Sequence, residues 1–313
     1  MRRIIKYLGI AIVISIAVAF VFFRTSDIPV EALKEKYAPP PSKFITVQGM
    51  DVHYRDEGKP GDPLPIVLIH GTGASLHTWE PMVAELKATY RVITLDIPAF
   101  GLTGPNPQRD YSTEFYNSFM QAFLKALSVD SCIMGGNSLG GSIAWNYALS
   151  YPEAVKKLIL IDASGYPTNA KSMPIAFRIA RTPVLKHLLK YLGARSLAAK
   201  SIEDVYADPS RVQPEIVDRY YDMYLREGNR QALLDRMATS FHPDTYLKIN
   251  TLQMPTLILW GEEDKLIPVE NAYRFQKDLP HDTLVILKKL GHVPMEEDPK
   301  TTTEVVRSFL QKR

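Results

Sequence analysis

The chain has 313 residues, 46% hydrophobic and 23% charged, which is enough apolar material for a sizeable core. Its formal net charge of +3 is small and its basic residues are dispersed, which excludes the clustered basic face that nucleic-acid binding requires. A single cysteine, Cys132, excludes an intramolecular disulfide and a cysteine-based metal site.

At the N-terminus, Arg2, Arg3 and Lys6 precede an uncharged apolar run from Tyr7 to Phe23, closed by Arg24. An apolar helix of about 20 residues can cross a bilayer, and Ile4 to Phe23 reaches that length if Lys6 snorkels toward the headgroups. A cleaved signal peptide would use Ala17-Val18-Ala19 as its processing site, and the protein would then be secreted. The chain stays apolar past that point, through Phe20-Val21-Phe22-Phe23, so an uncleaved signal anchor over residues 1–25 explains the whole run better. The leading positive charges put the N-terminus in the cytoplasm and the rest outside it, in a periplasm or lumen, because the following flank mixes Arg24 with Asp27 and Glu31. Residues 26–43 then read as a linker. Its consecutive Pro39, Pro40 and Pro41 predict an extended, stiff spacer that holds the globular part off the membrane.

Strands and helices alternate from there. Phe44 to Gln48 and Asp51 to Tyr54 suit a hairpin around Gly49-Met50, and Ile66 to Ile69 is a wholly apolar run of the kind buried on both faces of a sheet. Trp79 to Ala88 has helical spacing, Val92 to Ile97 is a second buried strand, and Phe115 to Leu127 is a helix. Cys132 to Gly135 reads as a strand, Leu139 to Leu149 as a helix stopped before Pro152, and Leu158 to Ile161 as a strand. Residues 44–163 form the first part of a core. Between 164 and 250 the pattern is helical only, as in Pro174 to Leu192 and Gln213 to Tyr224, which predicts an inserted cap. Residues 251–313 restore the alternation, with a strand at Thr256 to Trp260, a helix at Val269 to Asp278, a strand at Leu284 to Leu287 and a helix at Thr301 to Leu310. The expected fold is α/β, with a doubly wound, mainly parallel sheet, a helical cap over its carboxyl edge and an N-terminal transmembrane helix.

Gly136-Asn137-Ser138-Leu139-Gly140, followed by Gly141, lies between a strand and a helix and has the G-x-S-x-G spacing of a nucleophile elbow. A serine hydroxyl needs a base to remove its proton. His292, in Gly291-His292-Val293 after the last strand, is best placed of the seven histidines. His53 lies in the opening hairpin, His187 and His242 in the insertion, and His281 before the last strand. The imidazole needs a carboxylate to orient it. Asp264 follows the strand ending at Trp260 and fits the order Ser, Asp, His, although Asp96 and Asp162 end strands at the same edge and Glu262 and Glu263 are neighbours. Two backbone N–H groups must hold the oxyanion, expected from Leu139 and from Thr72 in His70-Gly71-Thr72-Gly73, where His70 shapes the loop.

With these motifs in order, and with Asp96 to Gly101 between them, the chain from about Phe44 to its end resembles the α/β-hydrolase family. The resemblance implies a serine triad, a lid-like cap and no cofactor or metal. The family includes esterases, lipases, carbon–carbon bond hydrolases and aspartate-nucleophile enzymes, and Ser138 argues against the last group. The elbow is similar to that of carbon–carbon hydrolases of ring-fission diketones. Those tend to carry a tryptophan soon after the histidine, where this chain has Val293-Pro294-Met295. The expected function is hydrolysis of carboxylic esters of small to medium apolar or lipid-like acyl substrates through an acyl-enzyme on Ser138. The alternatives are carbon–carbon bond hydrolysis and a membrane-tethered binding protein without catalysis, which the complete triad disfavours.

Overall fold

A computed structural model describes residues 24–312 apart from 168–169, 172, 183–190, 192 and 240–243, together with positions 7, 10, 14, 15, 18 and 21. The anchor expected over residues 4–23 therefore lies largely outside the described residues, and among those described no helix is long and apolar enough to cross a membrane.

Residues 26–43, expected to be a linker with its proline stretch as an extended spacer, are instead docked on the body. Helix α1 (Val30–Tyr37) occupies much of the segment, and its Leu33 is buried against Leu102 and Met223. Ahead of it, Ile28 N donates to Leu225 O at 2.8 Å and Glu227 N to Ile28 O at 3.0 Å. Arg230 holds Asp27 Oδ1 through Nε at 2.9 Å. Pro39, Pro40 and Pro41 punctuate the end of the segment while Pro29 caps the start of α1, and composition gave no sign that Leu33 had a partner almost two hundred residues away.

β1 (Lys43–Val47) and β2 (Met50–Gly58) make an antiparallel hairpin with Val47 opposite Met50. The turn residues Gln48 and Gly49 both have positive φ, 50° and 79°, which matches the twist of the two strands. β2 continues four residues beyond its expected end at Tyr54, because its polar second half pairs with β4 (Arg91–Leu95). There Arg91 donates to both oxygens of Asp56 at 2.9 and 2.8 Å, a polar pairing that an apolar pattern cannot reveal.

The other elements follow in chain order. β3 (Ile66–Ile69) and α2 (Glu80–Leu86) precede β4, and α3 (Thr113–Ala126), β5 (Cys132–Asn137), α4 (Leu139–Ser150) and β6 (Val155–Ile161) follow it. The insertion carries α5 (Ile175–Arg181), α6 (Arg195–Glu203), α7 (Pro214–Leu225) and α8 (Asn229–Ala238), with no strand among its described residues. β7 (Thr256–Gly261), α9 (Glu270–Asp278), β8 (Asp282–Leu287), the single turn α10 (Pro294–Glu297) and α11 (Pro299–Gln311) complete the chain. Of the helical stretch expected from Pro174 to Leu192, α5 ends at Arg181, and 183–190 and 192 lie outside the described residues. Thr182 is extended, with φ −87° and ψ 118°, as a residue before proline is constrained to be.

Among the described residues the sheet has eight strands in the order β1-β2-β4-β3-β5-β6-β7-β8. β3 pairs in parallel with β4 and β5, and the series continues in parallel to β8. Burial on both faces explains the unbroken apolar run of β3. Val67 and Ile69 join one core with Phe119, Phe123 and Ile143 from α3 and α4. Ile66 and Leu68 join another with Met82, Val306 and Phe309 from α2 and α11. This doubly wound frame brings the carboxyl ends of β5, β6 and β7 and the loop after β8 to one edge.

Candidate active site

Ser138 stands between β5 and α4 with φ 55° and ψ −116°, a sparsely populated positive-φ conformation that costs an L-residue about 1–3 kcal/mol. Three backbone hydrogen bonds hold it there. Ser138 N donates to Ile161 O at 3.1 Å, and Ser138 O accepts from Ser142 N at 3.1 Å and Ser164 N at 3.0 Å. The flanking glycines are required by close approach. A Cβ on Gly136 would fall 2.2 Å from Gly140 C, and one on Gly140 would fall 2.0 Å from Ile69 O.

His292 and Asp264 meet beside this turn, where His292 Nδ1 donates to Asp264 Oδ2 at 2.7 Å in a buried setting. Asp264 Oδ1 accepts from Leu266 N at 2.8 Å and Ile267 N at 2.9 Å, so the loop after β7 wraps the carboxylate. Glu262 and Glu263 are exposed, and so is His281. His187 lies outside the described residues, as does His242.

The remaining alternatives have other tasks. Asp96 accepts from Leu76 N at 2.7 Å, from Leu102 N at 2.8 Å and from His53 Nδ1 at 2.8 Å, which ties the loop after β3 to the loop after β4. His70 accepts Ile97 N on Nε2 at 3.1 Å and donates from Nδ1 to Gly71 O at 2.8 Å, so it shapes the 70–73 loop as expected. Burial lowers the pKa of His70, consistent with a neutral ring. That loop lies against the elbow, since a Cβ on Gly71 would sit 3.2 Å from Ser138 Cβ. Among the described residues neither the Thr72 N–H nor the Leu139 N–H has an acceptor inside the protein.

Ser138, His292 and Thr72 open onto one cavity of about 150 Å³ between the sheet edge and the insertion. Its walls are mainly apolar, with Phe177, Leu197, Ile202, Leu233, Leu266 and Val293 among them, and Tyr220 and Tyr224 also face it. No Lys or Arg lines it among the described residues.

Sequence reasoning missed several residues that hold these parts together. Asn137 Nδ2 donates to His292 O at 2.9 Å and to Ile161 O at 3.2 Å, linking the elbow to the histidine loop. The buried Glu297 accepts from Gly291 N at 2.8 Å and Ala207 N at 3.1 Å on Oε2, and from Asp208 N at 2.8 Å on Oε1. His292 N donates to Val205 O at 2.8 Å, so the insertion is stitched directly to the histidine loop. Glu296 pairs with Arg219 and accepts from the Tyr206 and Tyr220 hydroxyls at 3.2 Å each. In the sequence Glu296 and Glu297 are an ordinary acidic pair after His292, and only the fold shows that Glu297 is buried.

Asp162, Asp264 and His292 have donor atoms within 4.8 Å of one another, close enough to hold a cation. However, His292 Nδ1 and both oxygens of Asp264 are engaged in hydrogen bonds that a cation would have to displace.

A serine on a strained strand-to-helix turn, with a carboxylate-bound imidazole after the last strand of a doubly wound sheet, defines a hydrolase of the α/β fold. Residues 65–299 match that family, and the chain belongs to the alpha/beta hydrolase fold family. An uncharacterized hydrolase, YugF of Bacillus subtilis, is 28% identical over 274 residues, covering 87% of this chain and 98% of its own. A 2-hydroxy-6-oxo-6-(2'-aminophenyl)hexa-2,4-dienoic acid hydrolase of Metapseudomonas resinovorans is 25% identical over 87% of this chain and 91% of its own. The crystal structure of a bacterial membrane phospholipase A superposes with a TM-score of 0.74 at 25% identity, covering 99% of this chain and 98% of that one.

Proposed function

We propose that this protein is a serine esterase that cleaves carboxylic esters of small to medium apolar acyl groups through an acyl-enzyme on Ser138. The observation that carries the reading is the apolar cavity into which Ser138 and His292 both open, with no cationic side chain on its described walls. Ring-fission acids bear a carboxylate, which would need a compensating cation or several donors when buried in such a cavity. An uncharged acyl chain needs only apolar wall.

The chemistry follows from the geometry. Because His292 Nδ1 is committed to Asp264, Nε2 is the nitrogen left to take the Ser138 proton. Ser138 Oγ attacks the ester carbonyl as that proton moves to Nε2, and the oxyanion is held by the Thr72 and Leu139 N–H groups. The tetrahedral intermediate collapses, the leaving alcohol takes the proton from His292, and the acyl group stays on Ser138. Water, deprotonated by His292, then releases the acid and frees the serine.

A membrane location is part of the proposal. Tyr7, Ile10, Ile14, Val18 and Val21 are helical and exposed by 69, 45, 57, 49 and 74%, leaving apolar side chains uncovered by the body. The likeness to a membrane phospholipase A extends over 99% of this chain, so it includes these positions. The single-pass orientation puts the N-terminus in the cytoplasm and the α/β body outside it. A reporter fused after Arg313 should be active outside the cytoplasm, and activity only inside would refute the orientation.

Turnover of p-nitrophenyl esters of graded chain length, measured beside turnover of a ring-fission dienoate, tests the substrate class. The reading expects ester hydrolysis to dominate and to vanish in Ser138→Ala. A kcat/KM for the dienoate above that for every ester would replace it with carbon–carbon hydrolysis.

A further inference from the structure

Asp162 closes β6 on the same edge, and the mechanism above assigns it no task. It is fully buried, with φ 45°, a left-handed conformation that aspartate tolerates better than most residues. Its Oδ1 accepts from Gly261 N at 2.9 Å. Its Oδ2 is buried and receives no N–H donor among the described residues, and Asp264 lies close enough that only a proton shared between the two acids could join them.

One oxygen of Asp162, one of Asp264 and a ring nitrogen of His292 lie within 4.8 Å of one another. The titratable groups facing Asp162 are Asp264, His292 and Glu297. Asp264 is equipped to carry a charge, with two N–H donors on Oδ1 and the imidazole N–H on Oδ2. Asp162 has a single donor for its two oxygens. Two buried carboxyls this close cannot both be ionised without a large penalty, and the better-solvated one keeps the charge. Burial first, and then the Asp264 charge, pushes the Asp162 carboxyl well above the usual carboxylate range.

We propose that Asp162 is a positioning residue that stays protonated in the working enzyme, so that the one negative charge of the carboxyl pair rests on Asp264 against His292. This rests on the assignment of Ser138, Asp264 and His292 to the reaction. A second negative charge beside the imidazole would hold a proton on it and remove the base. A neutral acid at this position avoids that charge and still fills the space behind Asp264 and accepts from Gly261 N.

Infrared spectroscopy of the full chain at pH 7 tests this directly. The wild type should show a buried carboxylic-acid C=O stretch, shifted in deuterium oxide, that is missing from Asp162→Asn. Absence of the band from the wild type would overturn the proposal without any variant having to fold, and so would its persistence in Asp162→Asn. Because Asn resembles the protonated acid, kcat/KM in Asp162→Asn should fall less than tenfold, against about 10,000-fold in Asp264→Asn. Falls of equal depth would show instead that Asp162 works as an anion. A fluorophosphonate that fails to label wild-type Ser138 would sink the site assignment while leaving the infrared result for Asp162 standing.

Discussion

At the residue scale, the elbow is decided by two glycines and one strained serine. Gly140→Ala would place a methyl 2.0 Å from Ile69 O, a backbone atom that cannot step aside. The variant should lose about 3 kcal/mol or more, read as a lowered urea midpoint with unchanged slope. Asp264→Asn should keep the fold but lose about 10,000-fold in kcat, because an amide cannot fix the imidazole tautomer as a carboxylate does. The chain order of the motifs was enough to bring Ser138, Asp264 and His292 to one sheet edge, where His292 meets Asp264, although Asp96 and Asp162 end strands at the same edge. Asp162 was visible only as a rival to Asp264, since its meaning depends on the space behind that residue. Asn137 was hidden as the variable letter of the elbow, although its side chain ties Ser138's turn to the His292 backbone.

At the element scale, alternation of apolar runs placed the strands, and it failed wherever a partner rather than a pattern decided the outcome. The second half of β2 is polar and exists because β4 lies beside it. Helix α1 exists where a spacer was expected because Leu33 has a site against Leu102 and Met223. Glu297 likewise acts between elements, joining the 205–208 segment after α6 to the loop that carries His292. Glu297→Ala would leave three N–H donors without their acceptor, at a cost of about 1–3 kcal/mol for each group left buried and unsatisfied. It should also loosen His292, lowering kcat at least tenfold while fluorophosphonate labelling slows in parallel. A variant with the stability loss and full kcat would show that the acid braces the insertion but does not position the histidine.

At the scale of the whole molecule, two buried histidines, His70 and His77, contribute to the response to acid. Burial holds His77 down to about 4, against an ordinary value near 6.5, and lowers His70 as well. Between about pH 6.5 and 4 the unfolded chain takes up protons that the native state refuses, so stability falls as pH falls through that window. Asp162 works in the opposite sense, because its native carboxyl keeps a proton that the unfolded chain releases above the ordinary aspartate range. Its contribution is therefore lost as pH rises. Because the two effects oppose each other in the wild type, the test is the difference between proteins: from about pH 6.5 to 4 the Tm of His77→Gln should fall less than that of the wild type. A His77→Gln variant whose Tm follows the wild-type pH dependence between about pH 7 and pH 4 would contradict a neutral His77.

If Ser138 is an activated nucleophile under an apolar cap, it should react covalently with an active-site reagent. Incubating the full-length protein with a fluorophosphonate and mapping the adduct by mass spectrometry should give one phosphonyl group per chain, on Ser138. The adduct should be absent from Ser138→Ala and formed much more slowly in His292→Ala. A protein that stays unlabelled, or a Ser138→Ala variant labelled to the same extent, would rule out Ser138 as the nucleophile.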